Sequence, residues 1–306
     1  MKANKLIFSL FIISVVFIAA CGLEENNILP KNNEVDIVFK NIRNEVPLSR
    51  DFLGPEIIRL QVDIANNGEF DVNNGVIYFT DTHAGIGGIS NDLPYQFSIA
   101  SSFSNGKRIS PSILSDQTIE ELYYEFPSLD AGSQALLTIS AKPVYEVALN
   151  DIFIEGICIQ SLNSKECNDR ETYSSSKIKN SRAPLMIDKI EKINVPGDSE
   201  ARVNFNFYLK KPDRKGFVVN DLSAAADSNF GFVNFIAELD GNPLTCSGLN
   251  YFGSQLSWDK SKTDGVLRCE VQVPIEEFSY SILTVSMDYI YSGAIKSASV
   301  KFIKNV

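Results

Sequence analysis

The sequence predicts an all-β protein of two tandem antiparallel β-sandwich domains that follow an N-terminal signal segment. Many stretches alternate between apolar and polar residues, most clearly from Val203 to Leu209, and a period of two residues is typical of a half-buried strand. Turn residues such as Asp240-Gly241 separate these stretches roughly every 8–12 residues, which is typical of sandwiches. No stretch shows a convincing helical pattern.

The first 20 residues are predicted to be a signal peptide for export. Lys2 and Lys5 precede an almost unbroken apolar run from Leu6 to Ala20. The ending Ile18-Ala19-Ala20-Cys21 resembles the lipobox of lipoproteins, in which the cysteine thiol receives a diacylglyceryl group. A run of about 15 apolar residues is short for a spanning helix, which needs roughly 20, so an uncleaved membrane anchor is the less favoured alternative. Residues 21–33 would then form a lipidated tether.

The composition is that of a folded, acidic protein. Hydrophobic residues make up 44% of the 306 positions, which is enough for packed cores and too much for a disordered chain. The net charge of −10 argues against nucleic acid as a partner, because phosphate contacts require Lys and Arg. It also argues against binding to an anionic membrane surface through basic residues.

The first β-sandwich domain is predicted over residues 34–173. It opens with a strand at Val35–Phe39. A longer strand at Ile57–Ala65 alternates apolar with polar residues and ends at Asn66-Asn67-Gly68, where positive φ is tolerated. A similar turn at Asn73-Asn74-Gly75 precedes the next strand, so these two strands are expected to be antiparallel neighbours. Further strands are predicted at Val76–Thr80, Gln117–Phe126, Gln134–Val147 and Asp151–Gln160.

A polar segment at residues 174–184, which contains a serine run, is predicted to link the first domain to a second one at residues 185–306. The second domain is expected to contain strands at Arg202–Leu209, Phe230–Leu239 and Val266–Val273. Its last two strands, Ser281–Tyr291 and Ala294–Ile303, flank Ser292-Gly293 and are predicted to form a final hairpin. Each domain is expected to fold on its own.

The four cysteines after Cys21 are expected to form two disulfides, because an exported chain can keep them oxidised. Four cysteines allow three connectivities. Pairing Cys158 with Cys167 and Cys246 with Cys269 keeps each bond within one predicted domain. A zinc site is the weaker alternative, since such sites need closely spaced cysteines, often with histidine, and the chain has 1 histidine. No metal and no cofactor are expected.

The segment IIRLQVDIANNGEFDVNNGVIYFT, residues 57–80, is similar to the strand–N-x-G–strand signature of CARDB-like, Ig-like adhesion modules. The whole arrangement resembles a loose family of uncharacterised archaeal exported proteins with two Ig-like domains, a cysteine-bearing hairpin late in the first and a cysteine pair in the second. Leu185–Leu209 and Pro243-Leu244-Thr245-Cys246 fit that second domain, although it lacks the N-x-G turn. The resemblance covers residues 34–306. It implies tandem Ig-like sandwiches and brings no known activity.

No residue pattern identifies a reaction. His83 lies in a glycine-containing stretch, but the chain has no G-x-S-x-G elbow, so a loop tip is a better interpretation than a hydrolase triad. Those glycines also lack the spacing of a phosphate-binding loop. Glu69 and Asp71 imitate part of a calcium loop without its spacing, so an Asx-rich turn is favoured. The pairs Glu120-Glu121 and Glu276-Glu277 would point to opposite faces of a strand and are expected to be solvated.

Aromatic residues near turns or edges are the candidates for binding. The set is Tyr123, Tyr124, Tyr251, Phe252 and Trp258. If they are exposed, they would form a platform for a sugar or a peptide. Core packing is the alternative and is favoured. Trp258 and Tyr251 are kept as possible binding aromatics.

These observations together predict a non-catalytic, lipid-anchored cell-surface protein that serves in adhesion, scaffolding or protein–protein interaction. Rigid sandwiches hold variable loops at their ends, where partners bind. The alternative is an extracytoplasmic accessory lipoprotein that captures a sugar, a peptide or a metal complex for a transporter, and a hydrolase is a third class. The protein is expected to be exported and held at the outer face of the membrane. Its expected partners are that membrane, through the lipid anchor, and a protein or glycan.

Overall fold

A computed structural model describes residues 34–48, 56–82, 86–89, 93–101, 103–104, 107–108, 112–125, 130, 132–175, 177–178, 182–213, 215–223, 229–248, 250–275 and 277–304. The predicted signal peptide, Cys21 and the rest of the tether lie outside these residues, as does His83. Within the described ranges, no helix is long and apolar enough to cross a membrane.

The described residues form strands and no helix, so the all-β prediction is confirmed. The strands are β1 (Val35–Lys40), β2 (Glu45–Leu48), β3 (Glu56–Asn66), β4 (Val72–Thr82), β5 (Ile86–Gly87), β6 (Leu93–Ile99), β7 (Phe103–Ser104), β8 (Lys107–Arg108), β9 (Ser112–Glu125), β10 (Gln134–Gln160), β11 (Arg170–Ser174), β12 (Met186–Val195), β13 (Glu200–Lys210), β14 (Phe217–Val219), β15 (Phe230–Leu239), β16 (Asn242–Pro243), β17 (Thr245–Ser247), β18 (Tyr251–Phe252), β19 (Gln255–Asp259), β20 (Asp264–Pro274), β21 (Phe278–Ser292) and β22 (Lys296–Lys304).

Most of these strands belong to three sheets. The first sheet has the order β1-β3-β9-β5, and the third sheet has the order β11-β12-β13-β20-β17. The central sheet has 11 strands: its main path is β18-β19-β15-β21-β10-β22-β2, and β4, β6, β14 and β16 pair at its sides. The first and third sheets pack against different parts of the central sheet. The chain therefore forms two sandwiches that share one sheet.

Strand β10 is the spine of the central sheet and is 27 residues long. Its first part, Gln134–Ala141, pairs with β22, and its second part, Val144–Gln160, pairs with β21, in both cases antiparallel. Strands β21 and β22 therefore lie end to end along the same side of β10. In this way the chain passes from the second sandwich to the first without reversing its direction.

The hairpin that the sequence predicts at Ser292-Gly293 is wrong. The N–H of Gly293 donates to the carbonyl of Pro143 at 2.8 Å, so these residues continue the ladder with β10 as an irregular step between β21 and β22. A Cβ on Gly293 would lie 2.9 Å from Cγ of Pro143. Glycine within a strand often marks a bulge or a close approach of two backbones. Gly293 allows such an approach to Pro143, and a Ser-Gly pair of this kind cannot be distinguished from a hairpin turn in the sequence.

The two sandwiches are not the separate domains predicted at residues 34–173 and 185–306. Strands from both sides of the predicted linker pair within the central sheet, and Asn32–Val306 form one compact unit. Alternation of apolar and polar residues shows which side chains share a face of a strand. It does not show which strand lies alongside, and for that reason the predicted division between domains fails.

The described part of the predicted linker is packed against both sandwiches. The N–H of Glu69 donates to the carbonyl of Arg182 at 2.8 Å, and the N–H of Arg182 donates to Oε2 of Glu69 at 3.1 Å. Ala183 is fully buried. Just after the segment, the N–H of Leu185 donates to the hydroxyl of Tyr289 at 2.9 Å. These bonds fix the path of the chain between the sandwiches.

Aromatic contacts show how each sandwich is filled. In the first sandwich, Phe39 of β1 meets Phe79 of β4 edge to face, with 6.3 Å between ring centroids. In the second, Phe207 of β13 meets Phe235 of β15 in the same way at 5.1 Å. Most of the buried hydrophobic side chains of both sandwiches form one connected cluster, and Val144 and Val219 form a small second one. The two cores therefore merge along β10, as expected when contacting apolar side chains are continuous.

The strand that alternates most clearly in sequence, β13, also alternates in burial. Its inward side chains are Ala201, Val203, Phe205, Phe207 and Leu209, each at most 1% exposed. Full burial of a large apolar side chain contributes about 1.5–3 kcal/mol relative to exposure. This prediction of the inward face is confirmed.

Candidate functional site

Strand edges are a common place for a partner to add a strand, because an edge presents unpaired N–H and C=O groups. Several described edges of this chain are poorly suited to that use. Pro47 interrupts β2, and Pro94 interrupts β6. The edge formed by the second part of β10 carries two register shifts and Gly156 at φ 75°. The edge strands β11 and β17 have 5 and 3 residues. Bulges, proline and shortness all discourage strand addition.

The outward face of β15 and β21, in the second sandwich, is unusually apolar. We define the outer apolar face as Phe230, Phe232 and Ile236 of β15 with Phe278, Tyr280 and Ile282 of β21, whose exposed fractions range from 42% to 68%. They share one face because alternate residues of a strand point the same way and Ile236 pairs directly with Ser286 of β21. On the opposite face, Val233 and Phe235 of β15 and Leu283 of β21 are buried in the core. These two strands therefore carry large apolar side chains on both faces.

The outer apolar face contains two aromatic pairs. Phe230 and Phe232 meet edge to face with 5.8 Å between centroids, and Phe278 and Tyr280 do so with 6.0 Å. Val233 pairs with Tyr289 in an antiparallel ladder, so Phe232 lies opposite Ile290. Ile290 is ten residues along β21 from Tyr280. At about 3.3 Å per residue the two pairs are ~33 Å apart. A circular patch of about 800 Å², the area that a standard protein interface buries on each partner, is about 32 Å across, so the two pairs are separated by about the width of such an interface.

Acidic groups lie among the apolar side chains of this face. Asp288 pairs with Asn234 of β15, and Glu238 pairs with Thr284 of β21. Burial raises the pKa of the Asp288 carboxyl above its ordinary value. At the end of the face, Asp240 accepts a hydrogen bond of 2.8 Å from the N–H of Ile282. The face thus combines exposed apolar groups with negative charge.

Trp258 does not form a binding platform, and its candidacy as a binding aromatic is wrong. Its side chain is fully buried, and its indole N–H donates to the carbonyl of Lys262 at 3.2 Å. Trp258 pairs directly with Gly231 of β15, where a Cβ would lie 2.5 Å from the carbonyl carbon of Val218, so the backbone of β14 packs closely there. Its flanking polar residues, Ser257 and Asp259, are those of an alternating strand, and the same alternation sends the tryptophan inward.

The other predicted aromatics have separate positions. Tyr251 is half-buried, and its hydroxyl donates to the carbonyl of Phe235 at 3.1 Å. Phe252 beside it is 81% exposed. Tyr124 is buried in the first sandwich, and its hydroxyl donates a hydrogen bond of 2.7 Å to Oδ2 of Asp81. Tyr123 is 50% exposed. The structure therefore does not bring the five residues together, and the prediction missed the outer apolar face because i, i+2 aromatic pairs read equally well as core.

Both predicted disulfides are present. Cys158–Cys167 closes the loop that follows β10, with Cα atoms 5.6 Å apart, and Cys246–Cys269 joins register partners on β17 and β20. The second bond ties the 3-residue edge strand β17 to its neighbour. Disulfides are typical of an oxidising compartment.

A fully buried lysine supports the first disulfide loop and was missed by sequence reasoning. The ammonium of Lys192 donates to the carbonyls of Cys158 at 2.6 Å and Asn168 at 3.0 Å, and it lies 3.3 Å from the carboxylate of Glu171. Its signal in the sequence is a lysine at an inward position of β12, next to Ile190 in the alternating pattern. These bonds replace the water that a buried ammonium would lose.

The acidic candidates are engaged in local structure. Asp71 accepts from the N–H of Ser101 at 2.6 Å, and Glu121 forms an ion pair of 2.7 Å with Arg59. The described ranges contain no group of three His, Cys, Asp or Glu side chains that could hold a metal ion. Glu276 lies outside those ranges.

Open depressions are also present on the surface. A depression of about 680 Å³ lies between β10 and β11, and its lining includes Phe153, Glu155, Arg170, Tyr173 and Lys177. Another, of about 460 Å³, includes Arg43 and Arg59 in its lining. Small-molecule sites usually enclose most of their ligand, and these surfaces are open.

Comparisons with known proteins assign no family. The chain matches no family model, and none of the curated proteins matches it. Among solved structures, Spo0M, a sporulation control protein from Bacillus subtilis, is 11% identical over 57% of this chain and 78% of its own, with a TM-score of 0.13. An α-L-rhamnosidase from Aspergillus terreus is 9% identical over 87% of this chain and 29% of its own, with a TM-score of 0.14. Neither similarity carries an argument about function.

Proposed function

We propose that the chain is a non-catalytic, lipid-anchored cell-surface protein that binds a protein partner through the outer apolar face. The observation that carries this proposal is the exposure of six large apolar side chains on one face of β15 and β21. The groups form two aromatic pairs with Ile236 and polar residues between them, and large exposed apolar groups within a polar surround are typical of interaction sites. Pairing of β21 with β15 on one side and with β10 on the other would hold the face in place.

The extent and chemistry of the face favour a protein over a small ligand. Its aromatic pairs are about 33 Å apart at the usual strand rise, whereas a small molecule is held in one concave pocket. Each large apolar side chain that becomes buried contributes roughly 1.5–3 kcal/mol before the costs of association. Glu238 and Asp288 lie between the two aromatic pairs, so their carboxylates favour a partner with apolar groups at its ends and basic groups between them.

The location in the proposal is supported by the disulfides and by the N-terminal sequence. Two disulfides suit an oxidising compartment. The box that ends in Cys21 would supply the lipid anchor, and two acyl chains hold a protein stably where one does not. Replacing Cys21 with Ser should release the protein or leave its signal attached, as judged by membrane fractionation and mass. Normal processing with normal membrane retention would contradict the anchor.

The binding proposal is tested with exposed residues, whose replacement should leave the fold intact. The double variant Phe232→Ser, Tyr280→Ser disrupts both ends of the outer apolar face. Leu136→Ser is the matched control, because Leu136 is 63% exposed on β10 in the first sandwich. The wild type, the double variant and Leu136→Ser are each cross-linked in solubilised membranes, and the proteins attached to them are compared. The partner identified in this way is purified, and its affinity for each of the three proteins is measured.

The expected result is a partner that binds the wild type and Leu136→Ser equally and the double variant at least about tenfold more weakly, which corresponds to ~1.4 kcal/mol. Equal affinity for all three chains would overturn the proposed binding surface. A catalytic product formed by the purified protein would overturn the non-catalytic part.

The alternative, a ligand-binding accessory lipoprotein for a transporter, is favoured by the depression of about 680 Å³ between β10 and β11. Arg170 and Lys177 in its lining could meet an anionic group of a sugar or peptide. Screening by thermal shift with sugars and short peptides distinguishes the two functions. A stabilising ligand whose effect is lost in Arg170→Ala and kept in the Phe232, Tyr280 double variant would favour this alternative.

A further inference from the structure

The point where the two sandwiches join contains a buried carboxyl group. Glu34 immediately precedes β1 and is 5% exposed. Its Oε1 accepts a hydrogen bond of 2.6 Å from the hydroxyl of Tyr291, near the end of β21. The next residue, Val35, donates its N–H to the hydroxyl of Tyr145 on β10 at 3.3 Å. Tyr145 and Tyr291 are register partners, with their rings 5.9 Å apart.

A loop of the second sandwich completes this junction. Lys211 follows β13, is 2% exposed, and donates its ammonium to the carbonyl of Gly216 at 2.5 Å. A Cβ on Gly216 would lie 2.2 Å from the hydroxyl oxygen of Tyr291, so the loop backbone packs directly on that ring. The Asp213 carboxyl is close enough to Glu34 to raise its pKa. The loop 211–216 therefore touches the start of the first sandwich through Glu34.

The titratable groups that face Glu34 come from three elements. Tyr145 lies on β10, Tyr289 and Tyr291 lie on β21, and Lys211 and Asp213 lie on the loop after β13. This is a cluster of two carboxyls, one ammonium and three phenols, all of them buried except the half-buried Asp213. Two adjacent carboxyls with a single cation favour retention of a proton on one of them.

The charge balance agrees with that geometry. The pKa of Glu34 is raised from 4.5 to about 7, and burial is the largest cause. The hydrogen bond from Tyr291 and the charge of Lys211 lower this pKa, whereas Asp213 raises it. Burial lowers the pKa of Lys211. Burial also raises the pKa of all three tyrosines, so their hydroxyls remain donors.

We propose that Glu34 is a proton-operated latch between the two sandwiches. With its proton bound, it joins β1 to Tyr291 and to the loop 211–216. When it ionises, the junction holds a buried negative charge beside Asp213, and the start of β1 and the loop open more often. The inference goes beyond the proposed function and does not depend on a partner. An exported protein is exposed to the pH of its surroundings, so the latch would make the opening of the junction between the two sandwiches depend on that pH.

The latch predicts how opening depends on pH. The closed state binds the Glu34 proton more tightly than the open state, where the carboxyl has its ordinary pKa of 4.5. Opening should therefore increase as pH rises from about 4.5 to about 7, by up to about tenfold per pH unit, and stay level above that range.

Hydrogen exchange on the whole chain tests this directly. Protection of the backbone amides of Val35, Lys211, Asp213, Lys215 and Gly216 is measured from pH 4.5 to 8.5 and corrected for intrinsic exchange. The wild type should lose protection up to about pH 7 and then level off. Glu34→Gln should show no such slope, and Glu121→Gln, a surface carboxyl paired with Arg59, should behave as the wild type.

Two further variants keep the test decisive if Glu34→Gln does not fold. Tyr291→Phe removes a hydrogen bond that favours the ionised form, so the pH at which protection levels off should rise. Asp213→Asn removes a neighbouring negative charge, so that pH should fall. Opposite shifts support the latch. A wild-type profile without a slope, a Glu34→Gln profile that keeps the slope, or variant shifts in the same direction would overturn it.

Discussion

The hydroxyl of Tyr291 donates a 2.6 Å hydrogen bond to the carboxyl of Glu34 across 257 positions of the sequence. The bond joins the start of the first described strand to the end of β21. It depends on the pairing of β10 with β21, because Tyr145 on β10 contacts both Tyr291 and Val35. Contacts of such large sequence separation form slowly, since the loop between them must first be closed. The junction is therefore expected to form late in folding.

Glu34 makes the stability of the whole chain depend on pH. Its pKa is raised from 4.5 to about 7, so the folded chain holds a proton there that the unfolded chain has lost. The contribution of Glu34 to the free energy of unfolding is complete below about pH 4.5, falls as pH rises to about 7, and is constant above that. The Tm of the wild type minus that of Glu34→Gln should therefore decrease from pH 5 to pH 7 in calorimetry. Parallel Tm profiles for the two chains would contradict this prediction.

Replacement of Lys192 should be more damaging than replacement of a neighbouring surface lysine. Lys192→Met removes two hydrogen bonds to buried carbonyls and the ion pair with Glu171, and we expect a loss of about 3 kcal/mol in urea unfolding. Lys189→Met is the matched control, because Lys189 lies on the same strand, pairs with Glu191 and is 35% exposed. Its loss should stay below ~1 kcal/mol. Equal losses would show that the buried bonds of Lys192 contribute little.

The single tryptophan offers an optical test of the second core. Trp258 is fully buried, so its emission should be blue-shifted and resistant to acrylamide until the chain unfolds. Trp258→Phe should cost about 1–3 kcal/mol, because the smaller ring leaves a cavity and the partner of the indole N–H is lost. Phe252→Leu, at a residue that is 81% exposed, is the control and should be nearly neutral. Emission typical of a solvated indole in the folded protein would contradict the burial.

A fragment of residues 185–306 should not fold cooperatively. It lacks β10, which pairs with β21 over Val144–Gln160, and it lacks Cys158, whose carbonyl accepts from Lys192. Thermal unfolding of the fragment by circular dichroism is compared with that of residues 34–306. A sharp transition in the fragment, close to that of the longer chain, would show that the second sandwich is independent of β10.

Much of the fold could be predicted because strand signals are local. The end of β3 at Asn66 is one example: its side-chain oxygen accepts from the N–H of Gly68 at 3.0 Å, and its amide donates to the carbonyl of Phe70 at 2.6 Å. Asparagine organises its own turn in this way. The two disulfides were also predictable, because four cysteines allow few pairings.

The outer apolar face could be predicted only in part. The aromatic pairs on β15 and β21 are visible in the sequence, but a strand shows two faces and the sequence does not label which one is covered. Trp258 has the same ambiguity and faces the core. Which residues are exposed depends on where the third sheet packs, and that is a property of the assembled sandwich.

The sequence by itself determined the all-β class, the inward residues of β13 and the cysteine pairs, because each depends on neighbours in the chain or on a small number of combinations. Only the tertiary structure decided that β10 serves both sandwiches, that Ser292-Gly293 continues a ladder, and that Glu34 is buried against Tyr291. The physical reason is that side-chain direction along a strand repeats every two residues, whereas the choice of a neighbouring strand depends on contacts between whole faces far apart in the chain.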